Sequence, residues 1–185
     1  MLQSVTFCCA KSPISSIFYY NYSLTNTISD MSKIKIRSYA EFESFLGKKI
    51  GVTEYQKITQ DQINLFADAT MDHQWIHTDE KRAEKESPFG TTIAHGYLTV
   101  SLLAYHWNCL AEVTNVKLQV NYGINQLKFG QPVKVNDEVR IHVYLDSIIN
   151  LRGIAKAQLK VSMEIKGEKK PAFDALITFL YHFDD

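Results

Sequence analysis

A chain of 185 residues that is 45% hydrophobic and 22% charged has the length and apolar content for one globular domain with a substantial core. Twenty Lys plus Arg balance twenty Asp plus Glu, and the net charge of +0 provides no basic excess for nucleic acid or an anionic membrane surface. Three cysteines, Cys8, Cys9 and Cys109, make no disulfide framework, which points to a reducing, cytoplasmic compartment, and no apolar run approaches the ~20 residues of a membrane span.

Residues 1–30 are rich in Ser, Thr and aromatics, with Lys11 as their only base and no acid before Asp30. They read as a disordered extension or a targeting-like segment. The second reading expects a basic n-region or an Arg-rich presequence, and no Arg precedes Arg37. The domain is expected over residues 31–185. In it, "YAEFESFLGKKIG" predicts a short helix closed by Gly47, and residues 51–59 a first strand. Thr59 followed by Gln62 has the spacing of a capping box, and Ile63, Phe66 and Ala67 fall on one helical face ending near Thr70.

A polar stretch, "DHQWIHTDE" (residues 72–80), comes next, with Asp79 placed to cap a short helix "EKRAEKE". From Thr92 to Leu110 the chain is apolar almost all round, which predicts a helix buried in the core. Strands dominate the remainder. In "VKLQVNYGINQLKF" Val116, Leu118, Val120 and Tyr122 are expected to face inward, and the phase slip at Leu127 and Phe129 predicts a bulge or bend beside Gly123. "EVRIHVYL", "AKAQLKVSMEI" and "FDALITFLYHF" alternate with period two and predict three further antiparallel strands, polar on their outer face. The fold class is therefore α+β, with an antiparallel sheet wrapped around a long central helix.

Asp72 and His77 are five residues apart on a polar connection. An acid and an imidazole there can converge on one water, and histidine exchanges protons near neutrality. By spacing alone Asp72 equally serves as a turn cap and His77 as a satisfied polar residue. His73 and His77 are four apart, but no metal-ligand motif accompanies them, so no metal is expected. His95-Gly96 opens the apolar helix, where glycine lets a carbonyl approach backbone N–H groups or simply permits close packing. Ser101, inside that helix, needs a partner for its hydroxyl, and a carbonyl one turn earlier would serve.

At these residues the chain resembles a known family. "FADATMDHQWIHTDEKRAEKESPFGTTIAHGYLTVSLL" followed by "NYGINQLKFGQPV" is similar to the MaoC-like dehydratases, most of all their nodulation protein N-like branch, over about residues 45–183. The resemblance implies a hot dog fold and the chemistry of (R)-specific enoyl-CoA hydratases. It implies Asp72 and His77 as a catalytic dyad holding a water, and the Gly96 N–H as the donor to the thioester oxygen. Gln74, His95 and Ser101 fall at substrate-binding positions, Gln74 standing where the hydratases usually carry Asn. The expected activity is interconversion of 2-enoyl-CoA and (R)-3-hydroxyacyl-CoA, without a cofactor, on an acyl-CoA or acyl-carrier thioester, by a homodimer. A hot dog thioesterase and a non-catalytic acyl-CoA or acyl-carrier binding protein are the alternative readings.

Overall fold

The computed structural model describes residues 33–184, so the expectation for residues 1–30 lies outside the described residues. The helices are α1 (Tyr39–Glu43), α2 (Gln60–Thr70), α3 (Trp75–Thr78), α4 (Glu80–Glu86), α5 (Gly96–Ser101) and α6 (Leu103–Leu110). The strands are β1 (Ile34–Ile36), β2 (Lys49–Val52), β3 (Gln56–Lys57), β4 (Ala111–Val113), β5 (Val116–Phe129), β6 (Glu138–Leu151), β7 (Ile154–Ile165) and β8 (Phe173–Phe183). An antiparallel sheet runs in the order β2-β6-β7-β8-β5, with β3 also on β6, and a small parallel pair joins β1 to β4. Among the described residues no helix is long and apolar enough to cross a membrane.

Local signals account for much of this. The Thr59 hydroxyl accepts the Gln62 N–H at 3.2 Å and starts α2, and the Asp79 carboxylate accepts the Arg82 N–H at 3.0 Å and starts α4. Gly47 follows α1 with φ of +70°, a left-handed conformation that glycine adopts without a Cβ penalty. Every second residue of β6 from Val139 to Leu145, and of β7 from Ala155 to Ile165, is buried, as the alternation predicts. Leu98, Leu103 and Trp107 pack the helical layer onto these side chains. Phe42 anchors the far end of this core, stacking on Trp107 at 6.1 Å between centroids and meeting Tyr181 edge-on at 5.5 Å.

Four expectations are corrected. The first strand begins at Lys49 and is split into β2 and β3, whose pairings to β6 are separate. The polar connection holds one helical turn, α3, and is not all loop. The helix expected from Thr92 starts only at Gly96, because residues 92–94 are extended and bond to the 133–135 segment, and it is divided at Leu102. It is also not buried all round: Tyr97, Ser101 and Tyr105 recur every fourth residue on one exposed face.

The fourth correction concerns β5. The predicted bulge is present, as the β5–β8 register shifts between Asn121 and Gly123. Yet Leu118, Val120 and Tyr122 do not face a core: they are 52%, 36% and 60% exposed. β5 is the terminal strand of the sheet order, and residues 117–126 are exposed on both faces. Alternation identified which side chains share a face but not whether that face is covered.

Candidate active site

The polar connection is built by three neighbouring segments. α2 stops where Met71 takes a left-handed conformation (φ 60°), a costly one for a residue with a Cβ, and the Asp72 N–H turns back to the Ala67 carbonyl at 3.2 Å. Gln60, in the first turn of α2, ties the pieces together. Its amide nitrogen donates to the His77 carbonyl at 2.7 Å, and its oxygen accepts the Thr92 hydroxyl at 2.6 Å. The Ile93 N–H donates to the Ile76 carbonyl at 3.1 Å, which docks α3 onto the extended segment before α5.

Within this frame His77 is buried, and its Nδ1–H donates to the Ile93 carbonyl at 2.7 Å. That bond selects the neutral tautomer in which Nε2 keeps its lone pair. Burial lowers the His77 pKa below the usual histidine value. The neighbouring His95 lowers it further, while the Ile93 bond and the Asp72 carboxylate act in the opposite direction.

His95 is buried too. Its Nε2–H donates to the Asp72 backbone carbonyl at 2.9 Å, and the same nitrogen lies 3.9 Å from the Asp72 carboxylate. The two imidazoles stack with centroids 3.8 Å apart and planes inclined by 25°. Phe66 of α2 meets the His95 ring at 5.2 Å.

One polar atom from each of Asp72, His77 and His95 lies within 4.8 Å of the others. Such a set invites a metal, but nearly parallel rings send their in-plane lone pairs side by side and not toward one point. One His95 nitrogen is moreover engaged by the Asp72 carbonyl. The arrangement suits proton exchange with a water better than chelation. The Asp72 side chain is 57% exposed, so it presents its charge to solvent beside a sheltered imidazole.

A cavity of about 300 Å³ adjoins His77, at the lower end of what ligand pockets measure. Ile93, Ala94, Val133 and Phe129 give it apolar walls, and Gly96, Tyr97 and Thr99 form the side nearest α5. The Thr99 hydroxyl donates to the Gly96 carbonyl at 2.6 Å and fixes that first turn. A Cβ built on Gly96 would stand 2.8 Å from the Phe129 ring, so a bare backbone is what lets Phe129 lie there.

Asp72, His77, His95 and Gly96 therefore come together, whereas the side chains of two other candidates are exposed. Gln74 is an exposed N-cap of α3 with no side-chain capping bond. Ser101 is exposed on α5, and its hydroxyl donates to the Tyr97 carbonyl at 2.7 Å, the local bond its position in a helix permits. Sequence reasoning missed Phe129, Tyr97 and Gln60. The signal for Phe129 was its place in "NYGINQLKFGQPV", where only the phase slip drew attention.

Comparison with known proteins identifies the family. Residues 41–166 match the model of the MaoC like domain. The chain is 43% identical over 136 residues to 3-hydroxyacyl-thioester dehydratase Z of Mycobacterium tuberculosis, covering 73% of this chain and 89% of that protein. It is 39% identical over 150 residues to Nodulation protein N of Rhizobium leguminosarum bv. viciae, covering 80% of this chain and 92% of that one. Among solved structures, the unliganded R-hydratase PhaJ1 of Pseudomonas aeruginosa superposes with a TM-score of 0.63 at 21% identity, covering 81% and 88% of the two chains. The fold is the hot dog fold, and this chain belongs to the MaoC-like domain family.

Proposed function

We propose that the protein is an acyl-thioester hydratase/dehydratase that interconverts a 2-enoyl thioester and its (R)-3-hydroxyacyl form. The observation that carries this reading is the His77 Nε2 lone pair, set free by the Ile93 bond, beside the Asp72 carboxylate and at the wall of an apolar cavity. The relatives named for dehydration of 3-hydroxyacyl thioesters support the same reaction class.

In the hydration direction a water sits between Asp72 and His77. His77 Nε2 takes one of its protons as the water oxygen bonds to C3 of the enoyl group, and the C2=C3 π electrons move to C2. The resulting imidazolium returns that proton to C2, so oxygen and hydrogen add from one face. Asp72 orients the water and stabilises the transient imidazolium. Negative charge develops on the thioester oxygen in between, and the Gly96 N–H on the cavity wall is the donor we assign to it. Dehydration is the same path reversed. No step requires a cofactor.

We also infer that the working unit is a homodimer joined through β5. That strand ends the sheet, and its side chains are uncovered on both faces, which is the surface a second copy would pair with.

The test is absorbance at the enoyl-thioester band with crotonyl-CoA and a longer enoyl-CoA. Wild type should bleach the band, and Asp72→Asn and His77→Gln should each slow it roughly 10²–10⁴-fold with the fold intact. Release of free CoA from a saturated acyl-CoA would redirect the reading to a thioesterase. A rise in melting temperature with acyl-CoA but no turnover would redirect it to a binding protein.

A further inference from the structure

His95 holds a position that the proposed reaction does not use directly. It is 3% exposed and does not line the cavity beside His77. Its surroundings are nonetheless specific. One edge of the ring donates to the Asp72 carbonyl at 2.9 Å, one face carries His77 at 3.8 Å, and Phe66 meets the ring at 5.2 Å. The remaining nitrogen, Nδ1, is buried and has no hydrogen-bond partner among the described residues.

We propose that His95 is a positioning residue: through one ring, bonded to Asp72 and stacked on His77, it fixes the separation and facing of the two. The inference rests on the hydratase reading and replaces the substrate-binding role expected for His95.

The Asp72 backbone has two anchors, and each fixes one end of the residue. The N–H goes to Ala67 within α2, and the carbonyl goes to His95 across the site. Without the second, Asp72 keeps only its N–H bond to Ala67, after a Met71 in the costly left-handed conformation. A displacement of about 1 Å at such a site costs of the order of 10²-fold in rate.

The hydrogen bond to Asp72 also assigns the two ring nitrogens of His95. Because Nε2 carries the hydrogen that the Asp72 carbonyl accepts, Nδ1 is the lone-pair nitrogen. His77 and His95 consequently carry opposite tautomers, Nδ1–H in the first and Nε2–H in the second.

The test has two arms. Nitrogen-15 imidazole NMR of the wild-type protein at pH 7.5 reads both tautomers without any turnover. Nε2–H at His95 beside Nδ1–H at His77 is expected, and Nδ1–H at His95 would overturn the proposal. Kinetics supply the second arm. His95→Phe keeps the stack but loses the donor, and kcat should fall about 10²-fold with KM within about threefold. His95→Gln restores an N–H at the distance of Nε2 and should recover at least tenfold of that loss. Unchanged kcat in His95→Phe, or a raised KM with kcat unchanged, would overturn the proposal. If wild type turns over no enoyl thioester, the hydratase reading fails while the tautomer arm still decides the role of His95.

Discussion

His77 and His95 lie face to face, 3.8 Å between ring centroids, each tethered to a backbone carbonyl through a different nitrogen: Nδ1 of His77 to Ile93, Nε2 of His95 to Asp72. The stack joins the polar connection after α2 to the start of α5, two segments 18 residues apart at their histidines. It leaves one imidazole with a free lone pair and the other locked.

The pH dependence of turnover follows from this pairing. Burial and the neighbouring ring hold the His77 pKa below 6.5, so its neutral, basic form persists into mildly acid solution. The acid limb of kcat/KM for wild type should therefore inflect below pH 6.5. Asp72 is the one charge acting to raise that pKa, so the residual activity of Asp72→Asn should inflect at lower pH still. A wild-type inflection above 6.5 would remove His77 as the base.

Gly96 has two reasons to be glycine, and a double substitution separates them. Gly96→Ala places a methyl 2.8 Å from the Phe129 ring but keeps the backbone N–H. If the glycine serves only to seat Phe129, Gly96→Ala with Phe129→Leu should regain activity to within a fewfold of Phe129→Leu alone. If it lets a thioester oxygen reach the N–H, the double variant should stay at least tenfold below Phe129→Leu, as expected for an impaired oxyanion donor worth about 10²-fold. Steady-state kinetics on crotonyl-CoA reads the difference.

Buried His106 makes stability pH-dependent. It is 1% exposed, its Nδ1 hydrogen-bonds the Thr53 hydroxyl at 3.1 Å, and its Nε2 has no partner among the described residues. Burial pushes its pKa from 6.5 to about 4. The unfolded chain thus binds a proton that the folded one refuses between those values, so its stabilising contribution is complete above pH 6.5 and is lost as pH falls toward 4. The shift corresponds to about 3 kcal/mol between the two limits. Urea titrations at pH 7.5 and 4.5 should show wild type losing more stability than His106→Leu over that interval. Equal losses would assign the acid sensitivity elsewhere.

Oligomerisation is testable at β5. Val120→Glu places a charge in the middle of the exposed apolar row Leu118, Val120, Tyr122. Sedimentation velocity should give twice the chain mass for wild type and a shift to monomer for the variant, with circular dichroism unchanged. A monomeric wild type would end the dimer reading.

Much of this molecule was legible locally. The Thr59–Gln62 and Asp79–Arg82 contacts span three residues, and period-two runs placed the inward rows of β6 and β7 correctly, because capping and pleating act over a few neighbours. The same locality explains the failures. Nothing near Leu118 tells whether its face meets a helix or open solvent, since that depends on β5 ending the sheet. The resemblance implied a substrate-binding role for Ser101, but only helical rotation in the folded chain shows that its side chain lies on the exposed face with Tyr97 and Tyr105. By itself the sequence determined the family, the alternating strands and the presence of an acid and an imidazole on one connection. Only the tertiary structure decided that His95 would hold one and stack on the other, because hydrogen bonds and ring contacts between distant segments exist only once packing brings those segments together.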